Sequence, residues 1–276
     1  MWENAVKTVK FLCTGQWRRV WNEVHVRLYR AMWTVLWYFI MPFRRSGRVA
    51  PAGTFTRETE YPIAFASPDH IAPKGTAVNN STNKKFVLFM NDFFRSRFPA
   101  EDRCFMDLGC SGGQLVKDFK DLNWIAVGLE GSDYSLKHKR ANWRALAGTN
   151  LFTCDITKPF RVKLDQQDLR FHLITAWEVM EHISSSDLDG LFDNIRRHLV
   201  EGGYFIASTS SAPSVVDGIE LHQTRMTNAQ WKEFIKRRYP DLEAVDLGLK
   251  IHHYVRFDFG EPSFLVYQKH QSLKRR

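Results

Sequence analysis

The segment RCFMDLGCSGGQL, residues 103–115, limits the architectures open to this chain more than any other stretch. A short run suited to a buried strand passes directly into a glycine-rich turn, and helical spacing follows over residues 113–122. A turn of this kind at the carboxyl end of a strand is where open α/β sheets bind ligands, because glycine lets a ligand approach the backbone. Strand and helix patterns continue to alternate downstream. Strands are predicted at 103–108, 124–129, 151–153, 171–177 and 204–208, and helices at 113–122, 134–147, 188–199 and 229–238. Two late strands follow near 244–249 and 263–268. This order implies an α/β fold with a doubly wound, mostly parallel, seven-stranded Rossmann-like sheet that ends in an antiparallel strand pair.

Upstream of this domain, residues 85–276, the composition changes twice. Of the net charge of +9, most sits before residue 49, where nine Lys and Arg face only Glu3 and Glu23. Within that arm Trp17, Val20, Trp21, Val24, Leu28, Ala31, Val35 and Phe39 recur at helical spacing. Residues 1–43 therefore read as an amphipathic, aromatic and basic helical arm. Its most apolar run, 31–43, falls short of the roughly 20 residues a membrane-spanning helix needs, so the arm is expected to lie in a headgroup layer or to pack on the domain. Residues 44–84 are rich in Pro, Gly, Ser, Thr and Asn and read as a linker or active-site loop. Cys13, Cys104, Cys110 and Cys154 show no metal or disulfide spacing and read as reduced thiols. The expected location is the cytoplasm, with the arm peripheral to the inner face of a membrane. The body is nearly neutral, which argues against a broad nucleic-acid surface.

Acidic residues close the next two strands. Glu130 lies 17 residues beyond Gly113, suited to accepting hydrogen bonds from ribose hydroxyls, and Asp155 ends the strand before IT. The spacing GxGxxG is missing, which disfavours a nicotinamide dehydrogenase. With DLGCSGG, Glu130 and CDI in this order, the chain resembles the class I S-adenosylmethionine-dependent methyltransferases over roughly residues 85–270. The resemblance implies that Asp107, Gly109, Cys110 and Gly113 surround the methionine part of the cofactor, Glu130 the ribose, and Asp155 with Ile156 the adenine, with Trp177 in the same pocket. Ser111 stands where many members have glycine, and its backbone takes positive φ less freely.

The stretch LITAWEVMEHI, 173–183, places three ionisable groups just past the fourth strand. A helix beginning near Glu178 would put Glu178, Glu181 and His182 on one face. In one reading His182 is a general base, oriented by Glu181, while Glu178 lines the cofactor pocket. In a second, implied by resemblance to the ubiquinone-pathway and small-RNA branches, Glu178, Glu181, His182 and His222 hold Mg2+ or Mn2+. In a third, the carboxylates only favour a helix start. No NPPY, DPPY or Pro-Cys signature follows the fourth strand, so the resemblance points to O-methylation of a small-molecule, glycan or lipid-linked acceptor. A metal-dependent RNA 2′-O-methyltransferase and a non-catalytic cofactor-binding or membrane-scaffold protein are the alternatives. His252, His253 and Tyr254 are further candidates for substrate contact.

Overall fold

A computed structural model describes residues 17–45, 53–73, 82–98, 103–250, 253 and 264–270. His252 and Tyr254 lie outside these residues. The chain divides into two units, Met1–Arg44 and Arg45–Arg276.

The described residues of the first unit form a helix, α1 (Trp17–Arg44), with Pro42 in its last turn. Val24, Leu28, Met32, Val35, Phe39 and Phe43 are all exposed. Their spacing of three or four residues places them along one side of the helix as a continuous apolar stripe. No helix among the described residues is long and apolar enough to cross a membrane.

In the second unit the predicted sheet forms. It comprises β2 (Cys104–Leu108), β3 (Ile125–Glu130), β4 (Leu151–Thr153), β7 (Phe171–Trp177), β8 (Leu199–Ser208), β11 (Leu242–Ala244) and β12 (Leu265–Lys269). The spatial order is β11-β12-β8-β7-β2-β3-β4. β2 pairs in parallel with both β3 and β7, while β12 runs antiparallel to β8 and β11. The late strands thus form the expected antiparallel pair. β2 and β3 are buried along their whole length, which explains why they read as continuous rather than alternating apolar runs.

The expected helix over 134–147 is two short pieces, α5 (Tyr134–Lys137) and α6 (Trp143–Leu146). Lys139 and Ala141 between them have positive φ, 47° and 44°. The cause is tertiary: Asn142 N–H donates to Gly112 O at 3.1 Å and Trp143 Nε1 to Ser111 O at 2.6 Å. These bonds draw the second piece onto the glycine-rich turn and break the local period.

The stretch 44–84 contains regular structure. β1 (Phe55–Glu58) pairs antiparallel with β5 (Arg161–Leu164), which pairs with β6 (Gln167–Asp168). The chain then runs across the sheet's carboxyl edge. Tyr61 O accepts from Asp155 N, and Ala64 N donates to Gly131 O, both at 3.0 Å. The short helix α2 (Pro68–Ile71) follows, started by Ser67, whose side chain caps Asp69 N. α3 (Lys84–Arg95) begins at Asn83, which caps Lys85 and Phe86. Further helices among the described residues are α4 (Gln114–Asp121), α7 (Leu188–His198) and α8 (Asn228–Arg238), and a short antiparallel pair, β9 (Val215–Val216) and β10 (Ile219–Glu220), precedes α8.

One core residue gives the fold a pH dependence. His198 ends α7, stacks on Phe160 with ring centroids 4.5 Å apart, and is buried. Burial is the main cause lowering its pKa from 6.5 to about 4. The unfolded chain therefore takes up a proton that the fold refuses, and stability falls as pH drops from about 6.5 to about 4. The loss attributable to this group is up to about 3 kcal/mol. Urea midpoints for wild type and His198→Gln should converge as pH falls across that window; parallel curves would refute the assignment.

Candidate active site

The ends of β2, β3 and β4 build one side of a cavity of about 710 Å³. In the glycine-rich turn Gly109, Ser111 and Gly113 have φ of +67°, +49° and +75°. A Cβ on Gly109 would lie 2.5 Å from Val179 Cγ2, so both its φ and its space require glycine. Gly109→Ala should cost about 1–3 kcal/mol and weaken cofactor binding, measurable by denaturation and calorimetry. Unchanged values for both would show that the turn has room to relax. Ser111 does adopt the left-handed backbone that a non-glycine residue resists. Its N–H donates to Glu130 Oε2 at 2.7 Å and its carbonyl accepts from Trp143 Nε1, which hold the conformation in place.

Glu130 is buried at the end of β3, and its Oε1 also accepts from Ser132 N at 3.4 Å. Asp155, past β4, accepts at Oδ1 from Thr157 N (3.0 Å) and Thr157 Oγ1 (2.6 Å), forming a turn that presents Ile156. Gly109, Ser111, Glu130, Asp155 and Ile156 line the cavity. Other residues of the predicted cofactor set stand behind the wall. Asp107 Oδ1 accepts from Thr175 Oγ1 at 2.6 Å and ties β2 to β7. Cys110 packs against the α-carbon face of Gly128, and Gly113 caps α4. Trp177 is buried edge-on to Phe86, with centroids 5.0 Å apart. Cys104, Cys110 and Cys154 are buried, and burial pushes the Cys154 thiol up to about 12, leaving it unreactive as a nucleophile.

Glu178, Val179 and His182 of WEVMEHI also line the cavity, with Val179 against Gly109, and the backbone of this segment departs from the expected helix. Glu178 has φ 54°, and only a 3₁₀ turn, Met180–His182, follows. The expectation of three side chains on one helical face is therefore corrected. Glu178 N donates to Ser208 O at 3.0 Å, and Ser208 Oγ donates to Glu178 Oε1 at 2.6 Å. The neighbouring strand β8 thus captures the backbone where a helix would begin. Glu178 and His182 line the cavity, while Glu181 lies fully buried beside them.

Glu181 Oε1 accepts from Ser210 N at 2.8 Å, and its Oε2 has no hydrogen-bond partner. Burial first, and the adjacent Glu178 carboxylate second, push its carboxyl well above the usual range. His222 Nδ1 donates to Ala212 O at 2.5 Å, which directs Nε2 as the remaining ring nitrogen. Burial is the largest cause lowering the His222 pKa. Its ring stands 4.7 Å from that of His182 at 74°. Ligand atoms of Glu181, His182 and His222 lie within 4.8 Å of one another, and Glu178 is outside that trio. Of the four residues expected to meet at a cation, three converge.

Sequence reasoning missed Ser208 and Ser210, which anchor the two carboxylates, and Asp69, whose Oδ2 lies 2.7 Å from His182 Nδ1. The SPD signature at 67–69 marks a helix start, but nothing local tells where that helix docks.

Residues 82–253 match the family described as "Methyltransferase domain". Among solved structures, an S-adenosylmethionine-dependent methyltransferase from Clostridium acetobutylicum is similar at 16% identity and TM-score 0.51, covering 70% of this chain and 93% of that one. The glycopeptide N-methyltransferase MtfA with bound S-adenosylhomocysteine is similar at 15% identity and TM-score 0.44, over 64% of this chain and 85% of its own. Magnesium protoporphyrin IX methyltransferase from Synechocystis aligns at 12% identity and TM-score 0.46, over 74% and 96%. No protein with a curated description matches the sequence.

Proposed function

The chain belongs to the methyltransferase-domain family and is a class I S-adenosylmethionine-dependent methyltransferase, and from that premise we propose that it methylates a hydroxyl group, with His182 as the general base. One observation carries this reading: an imidazole just past β7 lines the same cavity as the glycine-rich turn. A hydroxyl must lose its proton as it attacks, so a positioned base has a direct use there.

The residues present fit the cofactor. Glu130 supplies a buried carboxylate for ribose hydroxyls, Gly109 and Ser111 leave their backbone open to close approach, and Asp155 with Ile156 bound the adenine end. S-adenosylmethionine supplies a methyl group already activated on its sulfonium. The protein's share is to hold the acceptor, exclude water and accept the proton at a ring nitrogen of His182. Glu178, held by Ser208, keeps a carboxylate on the same wall.

A second reading is favoured by the unpartnered Glu181 Oε2 and the three converging ligand atoms. Glu181, His182 and His222 would hold Mg2+ or Mn2+, which would lower the pKa of the acceptor hydroxyl. His182 would then be a ligand rather than a base. Turnover is expected to survive exhaustive chelation; loss of activity restored by either ion would transfer His182 to the second role.

The cavity is also lined by Lys158, Ser184, Asp187, Ser210, Ser214 and Gln223, polar groups that suit a hydroxyl-rich small molecule, a glycan or a lipid-linked glycan. The exposed apolar stripe of α1, with its arginine-rich flanks, supports contact with the anionic inner face of a membrane. Labelled methyl transfer into fractionated extract tests the acceptor class, and label in the RNA pool would overturn it. Vesicles containing phosphatidylserine should retain the full chain and release one lacking residues 1–43; equal retention would dismiss the membrane contact, and a concentration-dependent dimer would assign the stripe to self-association.

A further inference from the structure

Asp69 is 113 positions before His182 in the chain, yet their side chains meet at 2.7 Å, Oδ2 to Nδ1. The strap that carries Asp69 is fixed at three places before it reaches the histidine. β1 pairs with β5, Tyr61 O accepts from Asp155 N, and Ala64 N donates to Gly131 O. The last two anchors sit on the loops that hold the adenine-side Asp155 and follow the ribose-side Glu130. Ser67 then starts the turn of α2 that presents Asp69. Both side chains are about one-fifth exposed, 22% for Asp69 and 18% for His182, so the pair is shielded without being sealed. The carboxylate lies at ion-pair distance but off the N–H axis, since Nδ1 makes no aligned hydrogen bond. Catalytic hydrogen bonds commonly tighten only when the substrate is in place.

We propose that Asp69 is a positioning residue for His182: it accepts from Nδ1–H, fixes that tautomer, and leaves the Nε2 lone pair for the acceptor's proton. This rests on the reading of His182 as the base. A neutral imidazole carries its proton on either nitrogen, and the hydrogen bond made by one decides the role of the other. Asp69 faces Nδ1, while the ring of His222 stands against the His182 ring at 4.7 Å. Ala64 and Tyr61 tie the strap that carries Asp69 to the loops beside Glu130 and Asp155.

The test uses the full chain labelled with ¹⁵N-histidine and saturated with S-adenosylhomocysteine, with His182→Gln identifying the His182 signals. Long-range ¹H–¹⁵N spectra should show His182 with the proton on Nδ1. In Asp69→Ala the ring should become a tautomer mixture and kcat should fall about 10- to 100-fold, with S-adenosylhomocysteine affinity held within about twofold. Asp69→Asn keeps an acceptor oxygen of the same size and should recover most of the tautomer preference. An unchanged tautomer in Asp69→Ala overturns the proposal, as does a kcat loss matched by equal losses in cofactor affinity and Tm. Full turnover in His182→Gln would instead overturn the base reading, independently of what the Asp69 variants do to the ring.

Discussion

Replacing Glu130 by alanine should lower affinity for S-adenosylhomocysteine by at least about a hundredfold, close to loss of binding in calorimetry. Hydrogen bonds to a charged group contribute about 1.5–3 kcal/mol each, and a ribose offers this carboxylate two hydroxyl donors. The same carboxylate accepts from Ser111 N and so holds the left-handed turn on which the cofactor would rest. Alanine therefore removes ribose contacts and releases the turn together. Glu130→Gln keeps one carbonyl acceptor and should lose less, about tenfold, because the amide's other end is a donor facing donors. Near-normal binding by Glu130→Ala would mean that the nucleoside is held elsewhere in the cavity.

Replacing His182 by glutamine should reduce methyl transfer by about 10²- to 10⁴-fold while cofactor affinity stays within about twofold. The two effects separate because His182 lies past β7, whereas the residues proposed for the nucleoside stand at the ends of β2, β3 and β4. Glutamine retains hydrogen-bonding length toward Asp69 but is no base at neutral pH. The measurement is single-turnover methyl transfer at saturating cofactor, which excludes product release as the slow step. A variant with full rate would remove His182 from the chemistry, and a variant that binds cofactor poorly would make it structural.

The part of the cavity built at the ends of β2, β3 and β4 was the more legible. Strand, glycine turn and the start of the helix lie within 13 residues, Glu130 closes a strand whose buried apolar run is visible in the chain, and Asp155 follows another. Parallel strands place their carboxyl ends on one edge, so motifs at strand ends must meet there whatever the details of packing. The catalytic half was less legible. The spacing of Glu178, Glu181 and His182 suggested a helical face, but Ser208 on β8 takes both the N–H and the carboxylate of Glu178 and turns the backbone to positive φ. The predicted helix at 134–147 failed for the same kind of reason, since bonds from Asn142 and Trp143 to the glycine turn outweigh local period.

Local sequence was thus sufficient for what depends on neighbours in the chain: the alternation of elements, the parallel sheet with its antiparallel end, and the meeting of Gly109, Glu130 and Asp155 at one cavity. Tertiary structure decided what depends on pairs distant in sequence. It brought three of four expected ligands within 4.8 Å, left Glu181 buried with one unpartnered oxygen, and laid a strap from residues 53–73 over the edge so that Asp69 reaches His182. The physical reason is that a side chain's role in chemistry is set by which groups share its low-dielectric surroundings. Periodicity and spacing report only the element on which that side chain is carried.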